Sequence, residues 1–190
     1  MSVAAPELLP PLAFASRGDH FSRFLAFCSD HDVDTSALAV YRKSDQDFGI
    51  KVTRSLMEDE IVMRIPRRLV LSTEERATGD TAFHEFVTRD PLLKEMPHLM
   101  LVMTLIREFC SSNSFWKPYI DILPTSYETP LYLDFDALLP LKPSQAFEEA
   151  GKLWRNISRQ YAYFWTQMQT PSSAASRLLF KDRFSFELYR

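Results

Sequence analysis

The most informative stretch of this sequence reads FWKPYIDILPTSYETPLY and occupies residues 115–132. This aromatic–proline stretch holds five aromatic residues and three prolines. Proline fixes φ and lacks a backbone N–H, so its repeated occurrence excludes a continuous helix or a central strand. The aromatic side chains would lie in water unless the segment packs against the body of a domain. From the residues alone we interpret it as a buried, irregular connection; the distinctive residue order also leaves open a family signature.

Composition limits the class of protein around this stretch. The chain has 190 residues, of which 46% are hydrophobic, enough for one domain or little more with a real core. The net charge of −3 gives no overall basic field for nucleic acid. Cys28 and Cys110 lie in apolar helical patterns, and no Cys or His spacing is typical of a metal site. With no signal peptide or membrane-spanning run in view, we expect a soluble protein of a reducing compartment, the cytoplasm or also the nucleus, without membrane, nucleic-acid or metal partners.

The first part of the chain predicts one helix and a small β unit. Residues 1–15 are rich in proline and alanine, and we expect them to be loose. Phe21, Phe24, Leu25 and Cys28 recur at helical spacing, so a helix is predicted to begin near Asp19. Alternating or short apolar runs then predict strands at Leu38–Arg42, 50–54, 61–65 and 69–71.

Helices are predicted to dominate from Thr81 onward. A short apolar pattern before Asp90 predicts one helix, Pro97 is suited to the first position of the next, and residues 143–170 form the longest helical pattern. Residues 186–190 predict a single turn capped by Asp182 or Ser185. The fold class is therefore α+β, a small β unit followed by helices. We divide the chain into 1–15, 16–72 and 73–190.

The common signatures of enzymatic chemistry are absent from the sequence. It has no GxSxG, P-loop, GxGxxG or HExxH motif, and its paired carboxylates are best interpreted as solvated surface charges. One loop is unusual, QDFG at residues 46–49, because it ends in one of only 4 glycines directly before a strand. A glycine at such a place lets a ligand approach the backbone closely.

Four segments taken together resemble a known family. They are DFGIKVTR at 47–54, IPRRLVLS at 65–72, the aromatic–proline stretch, and RQYAYF at 159–164. From about Arg17 to Arg190 the chain resembles the first part of the SET-domain methyltransferases of the Rubisco-methyltransferase class, and the RQYAYF run is similar to the branch that methylates histidine. The resemblance implies the N-terminal part of a SET domain with a mostly helical insert. It also implies S-adenosyl-L-methionine as methyl donor and actin as the partner.

The same resemblance implies where ligands would bind. In relatives, an arginine ahead of the SET core and the residues of a Glu-Gly-Phe-Gly loop hold the cofactor. In this sequence these positions are Arg17, Gln46, Asp47 and Phe48. Gln46 stands where relatives have an acid, and Asp47 stands where they have a glycine.

For the methyl-accepting substrate, the resemblance implies three residues of the helical insert. Two of them, Arg159 and Gln160, match the arginine and glutamine of the family run. The third, His98, stands where relatives have an asparagine on a preceding helix.

Catalytic residues are expected outside this stretch of chain. Relatives continue with a second cofactor-binding segment, an Asn-His motif, a tyrosine near the transfer channel and a further helical domain, none of which is found before Arg190. We therefore expect this chain to be a truncated form that is inactive alone, because methyl transfer depends on a closed, well-positioned site. Two alternatives stay open: a SET-type protein-lysine methyltransferase, and a non-catalytic fragment that binds actin or another protein.

Overall fold

A computed structural model describes residues 17–43, 48–72, 80–124 and 127–190, with backbone only for residues 17–19 and 42. The chain divides into two compact units. The first unit comprises Met1–Val70 together with Pro118–Leu123, and the second comprises Leu71–Lys117 together with Pro124–Arg190. The aromatic–proline stretch therefore contributes to both units.

The described helices and strands follow the order helix, hairpin, helices. The helices are α1 Arg17–Asp30, α2 Thr81–Arg89, α3 Pro91–Glu95, α4 Pro97–Cys110, α5 Lys117–Ile120, α6 Phe135–Leu138, α7 Gln145–Gln169 and α8 Phe186–Tyr189. The strands are β1 Leu38–Arg42 and β2 Phe48–Val52. Short 3-10 turns occupy Arg67–Leu69, Leu139–Leu141, Ala174–Arg177 and Lys181–Arg183.

The first unit is built on an antiparallel hairpin packed against α1. Leu38 pairs with Val52 and Tyr41 with Gly49 across the two strands. The ring of Phe21 on α1 packs against the ring of Phe48 on β2, with ring centroids 4.4 Å apart. The predicted helix and the predicted strand at Leu38–Arg42 are confirmed, and the strand predicted at 50–54 exists but begins earlier, at Phe48.

Two predicted strands of the β unit are wrong. Residues 61–65 form no strand; in the part of the chain that the structure describes, they pair only through an isolated bridge between Asp34 and Arg64. Residues 69–71 form no strand either; Leu69 ends the 3-10 turn Arg67–Leu69, in which its amide donates to the Pro66 carbonyl at 2.8 Å. Short apolar runs predict strands poorly when no neighbouring strand lies beside them to pair with.

Polar contacts hold the turns of the first unit. Arg54 forms an ion pair with Glu60, and the amide of Met57 donates to the same carboxylate at 2.9 Å. The hydrogen bonds from Arg54 and Met57 lower the pKa of Glu60 to about 2. In the turn after α1, the carboxylate of Asp32 forms an ion pair with the guanidinium of Arg68, with N and O atoms 2.5 Å apart. Asp32 has a φ of 64°, a conformation that aspartate tolerates better than most residues, and the ion pair holds it there.

Helix starts in the second unit are fixed by aspartate caps and prolines. Asp80 accepts from the amide of Phe83 at the start of α2, and Asp90 accepts from the amide of Leu93 at the start of α3, both at 3.0 Å. Pro91 and Pro97 occupy early positions of α3 and α4, where a missing N–H costs nothing. The predictions that the chain breaks at Asp90 and that a helix begins at Pro97 are confirmed.

The core of the second unit lies along α7. Phe164 on α7 is fully buried and packs edge-on against Phe86 of α2, with ring centroids 6.0 Å apart. The fully buried side chains of this core come from α2, α3, α4, α7 and the segment that follows α7: Phe83, Phe86, Val87, Leu93, Met103, Phe164 and Leu178. The long helix predicted at 143–170 is thus confirmed as Gln145–Gln169, and Ser185 caps α8 as one of the two predicted residues.

The aromatic–proline stretch is irregular, as its prolines predict. Of its described residues only Lys117–Ile120 form a helical turn. Trp116, Ile120 and Leu131 are buried, whereas Phe115 and Tyr127 are exposed. The prediction that the stretch is buried is therefore right for Trp116, Ile120 and Leu131, but not for every aromatic.

Candidate functional site

Two of the cofactor residues implied by the sequence lie among the described residues, Arg17 at the start of α1 and Phe48 at the start of β2. Arg17 is the first residue of α1, one helical turn before Phe21. Residues four apart share a helix face, and Phe21 contacts Phe48, so the first turn of α1 lies beside the first residue of β2. The structure thus brings the backbone of Arg17 and Phe48 into one region of the first unit. Gln46 and Asp47 directly precede Phe48 in the chain and lie outside the described residues.

The chemistry of this region suits an anionic group. The start of a helix carries unpaired N–H groups and a partial positive charge, which favour a carboxylate or phosphate. A guanidinium pairs with a carboxylate through two parallel hydrogen bonds. Arg17, at the first position of the 14-residue α1, combines both features.

Gly49 has a different role from the one that sequence analysis proposed. A Cβ added at Gly49 would lie 2.6 Å from the ring of Tyr41, its partner on β1. On that side the space beside the backbone is filled by an aromatic ring. The glycine therefore makes room for Tyr41, which itself is 42% exposed.

The substrate residues implied by the sequence lie in the second unit. Arg159 and Gln160 are adjacent on α7, and Gln160 shares a stripe of the helix with buried Phe164 and Met168. Arg159 is exposed, whereas Gln160 is half-buried. His98, the second residue of α4, is exposed, and among the described residues no hydrogen bond or ion pair joins it to Arg159 or Gln160. Arg159 and Gln160 are thus adjacent on one helix, and His98 lies on another.

One residue beside Gln160 was missed by sequence analysis. The hydroxyl of Tyr189 on α8 donates to Oε1 of Gln160 at 3.2 Å. Tyr189 is 7% exposed, and burial raises its pKa. The signal in the sequence was weak, since the partners are separated by 29 residues and a terminal aromatic is normally interpreted as core packing.

The contacts of Arg190 were also not predicted from the sequence. Its guanidinium lies 4.7 Å from the ring centroid of Tyr132 and 5.7 Å from that of Trp154, and it pairs with Glu187 at 2.5 Å. A guanidinium over aromatic faces is attracted by their negative quadrupole. Arg190 therefore fastens the end of the aromatic–proline stretch to α7 and α8.

Other site types find no support in the described ranges. No group of three or more His, Cys, Asp or Glu side chains there is arranged to hold a metal ion. None of the described helices combines the length and apolarity of a bilayer-crossing segment. The thiols of Cys28 and Cys110 are free, and burial raises the pKa of each.

Comparisons with known proteins agree with the sequence resemblance. The chain is 32% identical over 174 residues to the actin-histidine N-methyltransferase of Gallus gallus, 34% to that of Xenopus tropicalis and 32% to that of Homo sapiens. Each match covers 92% of this chain but 29% of the relative. The chain thus spans less than a third of the length of the curated relatives it matches. No protein-family model matches it.

Solved structures confirm the fold class. The SET domain of LSMT bound to lysine and AdoHcy superposes with a TM-score of 0.72 over 94% of this chain and 37% of that one, at 19% identity. Rubisco LSMT bound to AdoMet superposes with a TM-score of 0.71 over 90% of this chain and 38% of that one, also at 19% identity. The chain has the α+β fold of part of a SET domain, and the predicted resemblance is confirmed.

Proposed function

We propose that the protein to which this chain belongs is an S-adenosyl-L-methionine-dependent protein-histidine N-methyltransferase that acts on actin. The chain has the fold of part of a SET domain and the sequence pattern of the histidine-methylating relatives. The observation that carries the proposal is the match to actin-histidine N-methyltransferases over 92% of the chain at 32% identity. A match over 174 residues favours a shared role of the segment over a shared local motif.

The residues at the start of α1 and β2 fit the proposed cofactor. S-adenosyl-L-methionine supplies an electrophilic methyl group on its sulfonium and carries an amino-acid carboxylate. Arg17, at the N-terminus of α1, would pair with that carboxylate. Phe48, fixed by its contact with Phe21, and the preceding Gln46 and Asp47 would contribute the loop beside the cofactor.

The second unit would supply part of the actin contact. Arg159 and the amide of Gln160 are adjacent hydrogen-bond donors on α7, suited to carboxylate or carbonyl oxygens of a peptide segment. His98 would be a third, separate contact. Binding to actin places the protein in the cytoplasm in this proposal, with the nucleus as a further location.

A lysine substrate is the second candidate. The solved neighbour LSMT was crystallised with lysine and with methyl-lysine, and its fold matches at TM-scores of 0.71 and above. The chemical identity of the methylated residue separates the two candidates. A non-catalytic actin-binding protein is the third possibility, and it would bind actin without transferring a methyl group.

The cofactor part of the proposal is tested by titrating the protein that carries this chain with S-adenosyl-L-methionine in a calorimeter. Arg17→Ala removes a charged hydrogen-bond partner and is expected to weaken binding roughly ten- to a hundred-fold. Arg23→Ala, an exposed arginine of the same helix, is the matched control and is expected to leave the Kd unchanged. Absence of cofactor binding, or equal effects of the two substitutions, would contradict the proposed site.

A further inference from the structure

Among the described residues, the only hydrogen bond of the Gln160 side chain comes from Tyr189. The Tyr189 hydroxyl lies 3.2 Å from Oε1 of Gln160. The tyrosine ring is held on three sides, with centroids 5.7 Å from Phe184, 5.9 Å from Phe164 and 6.2 Å from Tyr161. A ring packed in this way has little freedom to turn, so the position of its hydroxyl is fixed by the core of the second unit.

The direction of this bond decides which end of the amide remains available. Burial raises the pKa of Tyr189, so its hydroxyl keeps its proton and can donate. Oε1 of Gln160 accepts, and the two N–H groups on Nε2 remain for another acceptor. Within the described ranges Nε2 makes no hydrogen bond, and Gln160 is only half-buried.

Further contacts hold α8 in place. Ser185 caps this short helix by accepting from the amide of Leu188 at 3.2 Å, and Arg190 is clamped between Glu187 and the rings of Tyr132 and Trp154. The residues on both sides of Tyr189 are thus anchored. The hydroxyl is presented to α7 from this anchored turn.

We infer that Tyr189 is a positioning residue, which orients the Gln160 amide so that Nε2 donates to an acceptor oxygen, a main-chain carbonyl or a carboxylate, on the actin segment. The inference rests on the proposed function, in which Gln160 contacts the substrate. It adds that the contact is a donated hydrogen bond and that its direction is set by a core tyrosine. Without the hydroxyl the amide is free to rotate, and either of its ends can face the substrate.

The test is calorimetric titration of monomeric actin into the protein that carries this chain. Tyr189→Phe removes the hydroxyl and keeps the ring, and we expect the actin Kd to rise about three- to ten-fold, the loss of one neutral hydrogen bond. Gln160→Ala is expected to weaken actin binding at least as much. In the Gln160→Ala background, Tyr189→Phe is expected to have no further effect, because the hydroxyl acts through the amide.

Two controls separate positioning from general destabilisation. Tyr163→Phe removes another tyrosine hydroxyl from the same unit, one that donates to Asp90 at 2.9 Å, and is expected to leave the actin Kd unchanged. Gln160→Glu keeps an acceptor for the Tyr189 hydroxyl but has no N–H to donate. It is expected to weaken actin binding while preserving the melting temperature, and it tests the donated hydrogen bond even if Tyr189→Phe does not fold.

Each outcome bears on a different statement. If the unmodified protein does not bind actin, the actin part of the proposed function and this inference fall together. If Gln160→Ala weakens binding and Tyr189→Phe does not, the proposed contact stands and the positioning role is wrong. The positioning role is also wrong if Tyr189→Phe weakens binding equally with and without Gln160, or if Gln160→Glu binds actin as tightly as the unmodified protein.

Discussion

Asp90 carries two structural roles with one carboxylate. One oxygen caps α3 by accepting from the amide of Leu93, and the other accepts from the hydroxyl of Tyr163 at 2.9 Å. Asp90 is 8% exposed, so both hydrogen bonds replace water that the carboxylate has lost. The sequence predicted the helix break at this residue from the following proline. The partner lies 73 positions away, and no local pattern points to it.

The Tyr163 hydroxyl is expected to make stability depend on alkaline pH. Burial, and then the hydrogen bond to Asp90, raises the pKa of Tyr163 from its ordinary 10 to about 12 in the folded chain. The unfolded chain therefore loses this proton first. The contribution is fully present below pH 10 and is lost as the pH rises towards 12. Burial raises the pKa of Tyr189 and Tyr132 as well, so both act in the same direction.

Urea unfolding followed by circular dichroism at a series of pH values from 7 to 12 measures this effect. The free energy of unfolding is expected to fall between pH 10 and 12, and Tyr163→Phe is expected to reduce that slope. The substitution should also cost about 1 kcal/mol at pH 7, because it removes one hydrogen bond and leaves the Asp90 carboxylate one partner short. An unchanged slope in the variant would show that Tyr163 is not held as the structure has it.

At the proposed binding residues, the sequence predicted which secondary-structure element carries each residue better than it predicted the neighbouring side chains. Adjacent Arg159 and Gln160 on one helix followed directly from their positions in the chain. The Tyr189 hydroxyl that orients Gln160 depends on how α8 folds back onto α7, and no spacing in the sequence encodes that. The contact between Gly49 and Tyr41 was not predicted, because the local pattern around the glycine contains no information about a residue of the paired strand.

Among the elements, long helices were predictable and short strands were not. The 25 residues of α7 repeat apolar side chains at helical spacing for many turns, so the period is unambiguous. The apolar runs at 61–65 and 69–71 are too short to reveal a period. Whether they form strands depends on whether a neighbouring strand is available to pair with them. The helix boundaries at Asp90-Pro91 and Met96-Pro97 were predicted correctly, because proline restricts the backbone through its own covalent geometry.

The role of α7 as the core helix of the second unit is tested by two neighbouring aromatics. Phe164→Ala removes a fully buried ring and is expected to lower the free energy of unfolding by about 3–5 kcal/mol through lost burial and an unfilled cavity. Trp165→Ala removes a larger ring that is 48% exposed and is expected to cost about 1 kcal/mol or less. Urea unfolding followed at 222 nm compares the two. Equal costs would mean that the face of α7 turned to the core is assigned wrongly.

At the scale of the whole molecule, the order of a β unit followed by helices was predictable from composition and periodicity. The predicted boundary after residue 72 remains a prediction; the main segment of the first unit ends at Val70. That Pro118–Leu123 joins the first unit was not foreseen. Phe24 and Tyr119 meet there with centroids 6.3 Å apart, and contact across so much intervening chain leaves no local sequence signal.

The chain spans 29% of the length of its curated relatives, and within it the proposed ligand residues fall into two sets. Arg17 and Phe48, with Gln46 and Asp47, would serve the cofactor from the first unit. Arg159, Gln160 and His98 would serve the substrate from the second. Positioning and exclusion of water account for much of the rate of group transfer. We therefore expect these residues to govern affinity more than the chemical step.

The central claim is tested most directly by incubating the protein that carries this chain with monomeric actin and methyl-labelled S-adenosyl-L-methionine, then locating the label by peptide mass spectrometry. We predict one labelled methyl group on a nitrogen of an actin histidine, and less of it with Arg17→Ala than with Arg23→Ala at a limiting cofactor concentration. Label on lysine would favour the second candidate. No label, from a protein that binds both S-adenosyl-L-methionine and actin, would contradict the proposed methyl transfer.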